Sequence, residues 1–308
     1  MRHIKHEKQG SLFRLSFFLV LALLMCGRAA ANGGAPYLIL PDSFGRPMVG
    51  TVVNGVGPLP FIIDTGASKS IVYRSLTAMI GLQALPNQSK RILTATGYKR
   101  VLAYPVSDFF VLGRTLQVTE TVALPDIIGS DAKGLIGVDL LAGLTLFVDL
   151  EAGAAKLKPS GPLGGEWVTI QGRPVAYGSL ALEINIGGLD IPVIVDTGAS
   201  DTVINVAGSE AIGRSSTGVR RESITASMSG GRQMVFASLR VPSFKIGEFE
   251  RTNMRLVVAD VPVFAMLGAR DVPAIILGMD LLGQQPFAID FKNWRLNIRD
   301  KTLELDDD

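Results

Sequence analysis

Histidine and cysteine are almost missing from these 308 residues: there are two histidines, His3 and His6, and one cysteine, Cys26. All three fall within the first 31 residues, and that segment reads as a leader. "MRHIKHEKQGSLFR" is basic and polar, "LSFFLVLALLMC" is an apolar run over Leu15–Cys26, and "GRAAAN" supplies small residues of the kind a signal peptidase accepts. The run is too short to span a membrane comfortably. Residues 1–31 are therefore expected to be a secretory signal peptide, with a buried core strand or an uncleaved anchor as the alternatives. Cys26 in "LLMCG" faintly resembles a lipoprotein box, but Met25 stands where such a box wants a small residue.

Beyond the leader these absences exclude whole classes of chemistry. There is no thiolate nucleophile and no imidazole to complete a Ser–His–Asp triad. A zinc site built from thiolates or imidazoles is excluded as well. Without disulfides, an exported fold must rest on core burial alone. Excess positive charge is missing too. The formal net charge is +2, but the leader carries Arg2, Lys5, Lys8, Arg14 and Arg28 against Glu7, which leaves residues 32–308 at about −2. No overall basic balance argues for nucleic acid. Carboxylates, Lys, Tyr, Ser and Thr remain, and no metal or cofactor is called for.

What is present is a repetition. "DTGAS" occurs at Asp64–Ser68 and again at Asp196–Ser200. Counted from each Asp, a Gly stands nine positions before (Gly55, Gly187), a Pro four before (Pro60, Pro192) and a Gly 17 after (Gly81, Gly213). Further on, "GLIGVDLLAGLTLFVDL" aligns with "IILGMDLLGQQPFAIDF", matching Gly137 with Gly278, Asp139 with Asp280 and Asp149 with Asp290. Two copies at this long period are not a solenoid; they read as two homologous lobes. "KPSGPLGGEW", Lys158–Trp167, has the Pro and Gly content of a linker. The expected division is therefore 1–31 leader, 32–160 N-terminal lobe and 161–308 C-terminal lobe.

Each lobe reads as mostly strand. "MVGTVVNGVGPLPFIID" and "LALEINIGGLDIPVIVD" look like strand pairs joined by Gly-containing turns, and the pentapeptide sits where the second strand stops. "YRSLTAMIGL" and "VAGSEAIG" are short helix candidates, each closed by its glycine, and "GVDLLAGL" and "GMDLLGQ" suit one or two helical turns. Hairpins are expected around "EAG" and "KNW". The fold class is all-β with short helices.

A carboxylate ending an apolar strand is partly desolvated, Thr offers a hydroxyl to a tight turn, and Gly permits close approach of backbone or ligand. One such turn is most simply a structural strand cap. Two, in homologous lobes related by a pseudo-two-fold axis, would bring Asp64 and Asp196 face to face. Carboxylates about 3 Å apart cannot both ionise and hold one proton between them. One then serves as general base on a water and the other, protonated, polarises a carbonyl.

On these residues the chain resembles the aspartic proteases, and more narrowly the retropepsin-like group, over about Met48 to Ile298. The two "DTGAS" motifs carry the resemblance, with "LIGVDLL" and "ILGMDLL" similar to the family's hydrophobic-hydrophobic-Gly segment. It implies two retropepsin/pepsin-like β-barrel lobes in one chain, similar to two-lobed bacterial periplasmic proteases. Asp64 and Asp196 would be catalytic. Thr65 and Thr197 would bond across the two-fold, with Gly66 and Gly198 beside the carboxylates. Flap hairpins are expected at "LTATGYKRV" and "ITASMSGGRQM", with Tyr98 as a flap tyrosine or simply an exposed turn aromatic, and Gly230 and Gly231 at a flap tip. The expected activity is an exported endopeptidase, periplasmic or secreted, monomeric, and cutting an extended peptide; a non-catalytic peptide-binding module on the same fold is the alternative.

Ala67 and Ala199 follow Asp-Thr-Gly where many pepsins carry a hydroxyl residue that bonds a catalytic carboxylate. A missing donor leaves the ionised form less stabilised, so the dyad's higher pKa should rise. Cleavage measured against pH is expected to favour mildly acidic to neutral solution; a maximum near about pH 2–3, as for a pepsin dyad, would contradict this.

Overall fold

In the computed structural model, which describes residues 36–94, 96–175, 178–227, 233–247 and 249–299, each lobe starts from a tight hairpin. Strand Pro47–Val53 turns into Val56–Ile63, and Leu180–Ile186 turns into Leu189–Val195. The two turns have positive φ at both central residues, Asn54 (50°) with Gly55 (77°) and Gly187 (59°) with Gly188 (85°). That is the backbone whose twist matches a right-handed hairpin, and it is why Asn-Gly and Gly-Gly stand there. The alternating burial of Pro47–Val53 and Leu189–Val195 points one face of each hairpin into the core.

The strand that leaves each hairpin does not pair with the next strand in sequence. In the N-terminal lobe, Gly134–Ile136 inserts between Val56–Ile63, to which it is parallel, and Ile71–Tyr73, to which it is antiparallel. In the C-terminal lobe, Ile275–Leu277 inserts in the same way between Leu189–Val195 and Val203–Ile204. Each DTGAS segment must therefore arch over the end of an inserted strand. Gly137 and Gly278 allow that crossing. A Cβ on Gly137 would lie 2.6 Å from the Lys69 carbonyl carbon, and one on Gly278 would lie 2.6 Å from that of Asp201.

The lobes are joined by a shared antiparallel sheet. Leu144–Asp149 and Phe287–Asp290 are its middle strands, flanked by Ala154–Pro159 and Tyr37–Pro41 on one side and by Arg295–Ile298 and Val168–Gln171 on the other. Equivalent residues here differ by 141 positions, as Gly137 and Gly278 do. Leu146 faces Ile289, Val148 faces Phe287, and Phe147 faces Ala288. Phe147 and Ala288 are each other's equivalents, so the pseudo-two-fold axis passes through that pair.

The helices are short: Arg74–Met79, Val138–Leu141, Val206–Ser215, Pro262–Met266 and Met279–Leu282. One differs from the sequence expectation. Val206–Ser215 runs through Gly213 instead of ending there. Its start is fixed by Asn205, whose side chain accepts from Gly208 N, and the left-handed turn comes later, at Gly218 (φ 78°). The largest apolar cluster crosses both lobes, and two smaller clusters sit beside the motifs, one around Ile62, Ile71 and Tyr73, the other around Phe264, Ala274 and Ile276.

Leu146 is fully buried in the shared sheet. Leu146→Ala should cost about 2–5 kcal/mol, read from the urea midpoint. Both lobes are expected to shift together in one transition; a shift confined to one of two separate transitions would show that the sheet does not couple them.

Candidate active site

Asp64 and Asp196 end equivalent strands and are anchored alike: Asp64 N donates to Ile136 O at 2.9 Å, and Asp196 N donates to Leu277 O at 3.0 Å. Each carboxylate is then held by its own turn. Gly66 N and Ala67 N donate to Asp64 Oδ1 at 3.0 and 2.9 Å, and Gly198 N donates to Asp196 Oδ1 at 2.8 Å. The two carboxyl groups face each other across the axis, close enough for each to shift the other's proton affinity.

Thr65 and Thr197 lock this meeting. Thr65 Oγ1 donates to Val195 O at 2.8 Å and accepts from Thr197 N at 3.0 Å. Reciprocally, Thr197 Oγ1 donates to Ile63 O at 2.6 Å and accepts from Thr65 N at 3.1 Å. Both threonines are buried, so these four bonds are made away from competing water. The glycines explain themselves by space. A Cβ on Gly66 would lie 2.5 Å from Asp196 Oδ2, and one on Gly198 would lie within 2.6 Å of both oxygens of Asp64. Each motif's glycine thus makes room for the other lobe's carboxylate.

The electrostatics follow from this confinement. Asp64 is pushed well above the usual carboxylate range by burial, then by the charge of Asp196 and the hydrogen bond to it. Asp196 is also raised by burial, against the lowering effects of the Gly198 N–H, the Asp64 carboxyl and the N–H groups of Gly66 and Ala199. Two facing carboxyls of raised proton affinity favour a state in which the pair retains one proton.

A layer beneath the motifs was not singled out in the sequence reading. Ser70 N donates to both oxygens of Asp139 at 3.0 and 3.1 Å, Ser70 Oγ donates to Asp139 Oδ1 at 2.8 Å, and Gly137 N donates to Ser70 Oγ at 3.0 Å. The other lobe repeats it with Thr202: Thr202 Oγ1 donates to Asp280 Oδ1 at 2.6 Å and accepts from Gly278 N at 3.1 Å. These contacts clamp the motif loop to the inserted strand and the helix after it. The signal was in the repeat, where Asp139 matches Asp280 and a hydroxyl residue stands six positions after each motif Asp. The lobes then diverge. Tyr73 is a buried phenol pushed up by burial and by the charge of Asp64. Its equivalent, Asn205, instead donates to Ala269 O and Val272 O and accepts from Gly208 N and Ala274 N.

Both expected flap segments lie on antiparallel hairpins. Ser89–Thr94 pairs with Gly97–Tyr104, and Arg220–Ser227 pairs with Gln233–Ile246. Ser89–Thr94 runs beside helix Pro262–Met266 of the other lobe, which places this hairpin across the cleft. Tyr98 stands on the face of the hairpin opposite to buried Val101 and Ala103; it is 58% exposed, with the Arg91 guanidinium 3.9 Å from its ring centroid. It is thus an exposed aromatic that carries the Arg91 guanidinium on its ring. Gly230 and Gly231 lie outside the described residues.

The aspartyl protease family model matches the chain twice, over residues 49–140 and 182–281. The chain belongs to this family. The two matches span more than half of it and contain one DTGAS motif each, so the protein is a two-lobed, retropepsin-like aspartyl protease homologue. Among curated proteins, none matches it significantly. Membership supports a protease-type function, and no described helix is long and apolar enough to cross a membrane.

Raised carboxyl pKa values mean that the folded protein binds more protons than the unfolded chain between the ordinary Asp pKa and the pair's raised one. Stability is therefore lost as pH rises through that window. Asp64→Asn should remove much of this slope and raise the melting temperature relative to wild type at neutral pH. Parallel melting curves for the two proteins across the window would show that the pair does not hold an extra proton.

Proposed function

We propose that this protein is an exported aspartic endopeptidase in which Asp64 and Asp196 form one catalytic dyad. The observation that carries the reading is the pair of half-buried carboxyls that face each other across the axis, each lying against the other lobe's motif glycine. The ionised partner takes a proton from a water, whose oxygen attacks the carbonyl carbon of the scissile bond. The protonated partner gives its proton to the carbonyl oxygen, producing a neutral tetrahedral diol. The newly protonated carboxyl then gives its proton to the leaving nitrogen as the C–N bond breaks, while the ionised one takes a proton from a diol hydroxyl as the new carboxyl C=O forms, so the pair again holds one proton. The backbone donors on Asp64 Oδ1 and Asp196 Oδ1 fix the carboxylate planes, so no group has to reorient during the reaction.

Substrate would lie extended between the motif floor and the hairpins, adding main-chain hydrogen bonds as a strand does. A single chain supplies both motifs through the shared sheet, which favours a monomer. Export is supported by the signal-like pattern of residues 1–31.

Peptide cleavage should be measured with wild type, Asp64→Asn and Asp196→Asn across about pH 3–8, each variant checked for folding. Each substitution is expected to reduce kcat at least about a thousandfold, because each removes one half of a proton-sharing unit. Loss with only one of the two would overturn the shared dyad. Peptide binding without cleavage by wild type would make the protein a binding module.

A further inference from the structure

The N-terminal hairpin has a face turned away from the core residues Val101 and Ala103. In its register Arg91 lies opposite Arg100 and Leu93 opposite Tyr98. Side chains alternate along a strand, so these four share a face with Leu102, while Val101 and Ala103 point the other way. Val101 and Ala103 are buried, whereas Tyr98 and Leu102 are 58% and 50% exposed. The first face therefore looks outward, and it combines two guanidinium groups with exposed apolar side chains.

The charge on this face is unanswered from within. Like charges directly opposite one another on a strand pair are destabilising. Lys90 at the hairpin's base has Glu120 at 2.6 Å, but among the described residues no carboxylate is ion-paired with Arg91 or Arg100. Overall composition does not explain this. Residues 65–107 hold Lys69, Arg74, Lys90, Arg91, Lys99 and Arg100 and not one Asp or Glu, although residues 32–308 are net acidic. The Arg91 guanidinium also lies over the Tyr98 ring, which holds its planar fork in place.

We propose that this outer face is an exosite for an acidic, extended segment of a partner polypeptide. Carboxylates would pair with Arg91 and Arg100, and an apolar side chain would lie against Tyr98 and Leu102. Guanidinium groups match carboxylates with two parallel hydrogen bonds, and a pre-oriented fork loses less freedom on binding. A lipid surface is the weaker fit, because attachment there scales with buried apolar area and this face offers only Tyr98, Leu102 and half-buried Leu93. The site lies outside the carboxyl pair and does not depend on cleavage, so a protein that never cuts a peptide would still show it.

The test is fluorescence anisotropy of the full protein with a labelled peptide of alternating Glu and Leu, beside the Lys/Leu counterpart. Wild type is expected to bind the Glu peptide at least about tenfold more tightly than the Lys peptide, and to weaken as salt is raised. The double substitution R91Q/R100Q should weaken Glu-peptide binding about tenfold or more, with R91K/R100K in between. Equal affinity for both peptides, which is read on wild type alone and needs no variant, would overturn the proposal. So would unchanged binding by a folded R91Q/R100Q protein, or sedimentation with phosphatidylglycerol vesicles in the absence of any peptide binding.

Discussion

Everything around the candidate site depends on the reciprocal hydrogen bonds of Thr65 and Thr197. Each hydroxyl donates to a carbonyl of the opposite lobe and accepts the opposite threonine's N–H. Four bonds made across the axis, in a buried setting, leave neither loop free to drift from the other. A side-chain hydroxyl is required at both positions, because an alanine would take these partners from an N–H and a carbonyl of the other lobe. The constraint is mutual: neither lobe can satisfy its own motif alone.

The raised carboxyl affinities are the electrostatic consequence. Close approach is enforced by the threonines and permitted by Gly66 and Gly198, and it partly shields the two carboxyls from water while setting their charges against each other. Such a state is unfavourable for two ionised groups, and the protein supports it from outside. The backbone donors of each turn, the Ser70–Asp139 and Thr202–Asp280 clamps and the shared sheet all hold the loops where they are. Asp280 shows how dry this layer is, since burial raises its own pKa despite the hydroxyl of Thr202. Pre-positioned groups of this kind are what a proton-transferring site needs, because nothing must move when charge develops.

The symmetry of backbone and motif does not extend to every side chain. Tyr73 and Asn205 are equivalent in position and unlike in chemistry, and the cationic outer face of the N-terminal hairpin belongs to a stretch without a single acid. Duplication supplies two matching carboxylates, and later divergence is free to make the surroundings unequal.

Much of this was legible in the sequence, and for local reasons. Asn54-Gly55 and Gly187-Gly188 specify their hairpins by turn chemistry, and identical pentapeptides at matched offsets declare two lobes and their paired carboxylates. Gly213 misled, because a helix whose cap is set by Asn205 tolerates a glycine near its end. Tyr98 stayed open for a different reason: strand periodicity places it on one face or the other, and only the burial of Val101 and Ala103 says which face is out. Likewise Asp139 and Asp280 were visible as repeats, but their role required seeing Gly134–Ile136 and Ile275–Leu277 inserted between non-sequential strands. The sequence by itself determined the fold class, the duplication and the residue types available for chemistry, because these rest on local pattern and composition. Only the tertiary structure decided which groups share a bond, which carboxyls lose water and which face of the hairpin meets solvent, because those are properties of contacts between segments far apart along the chain.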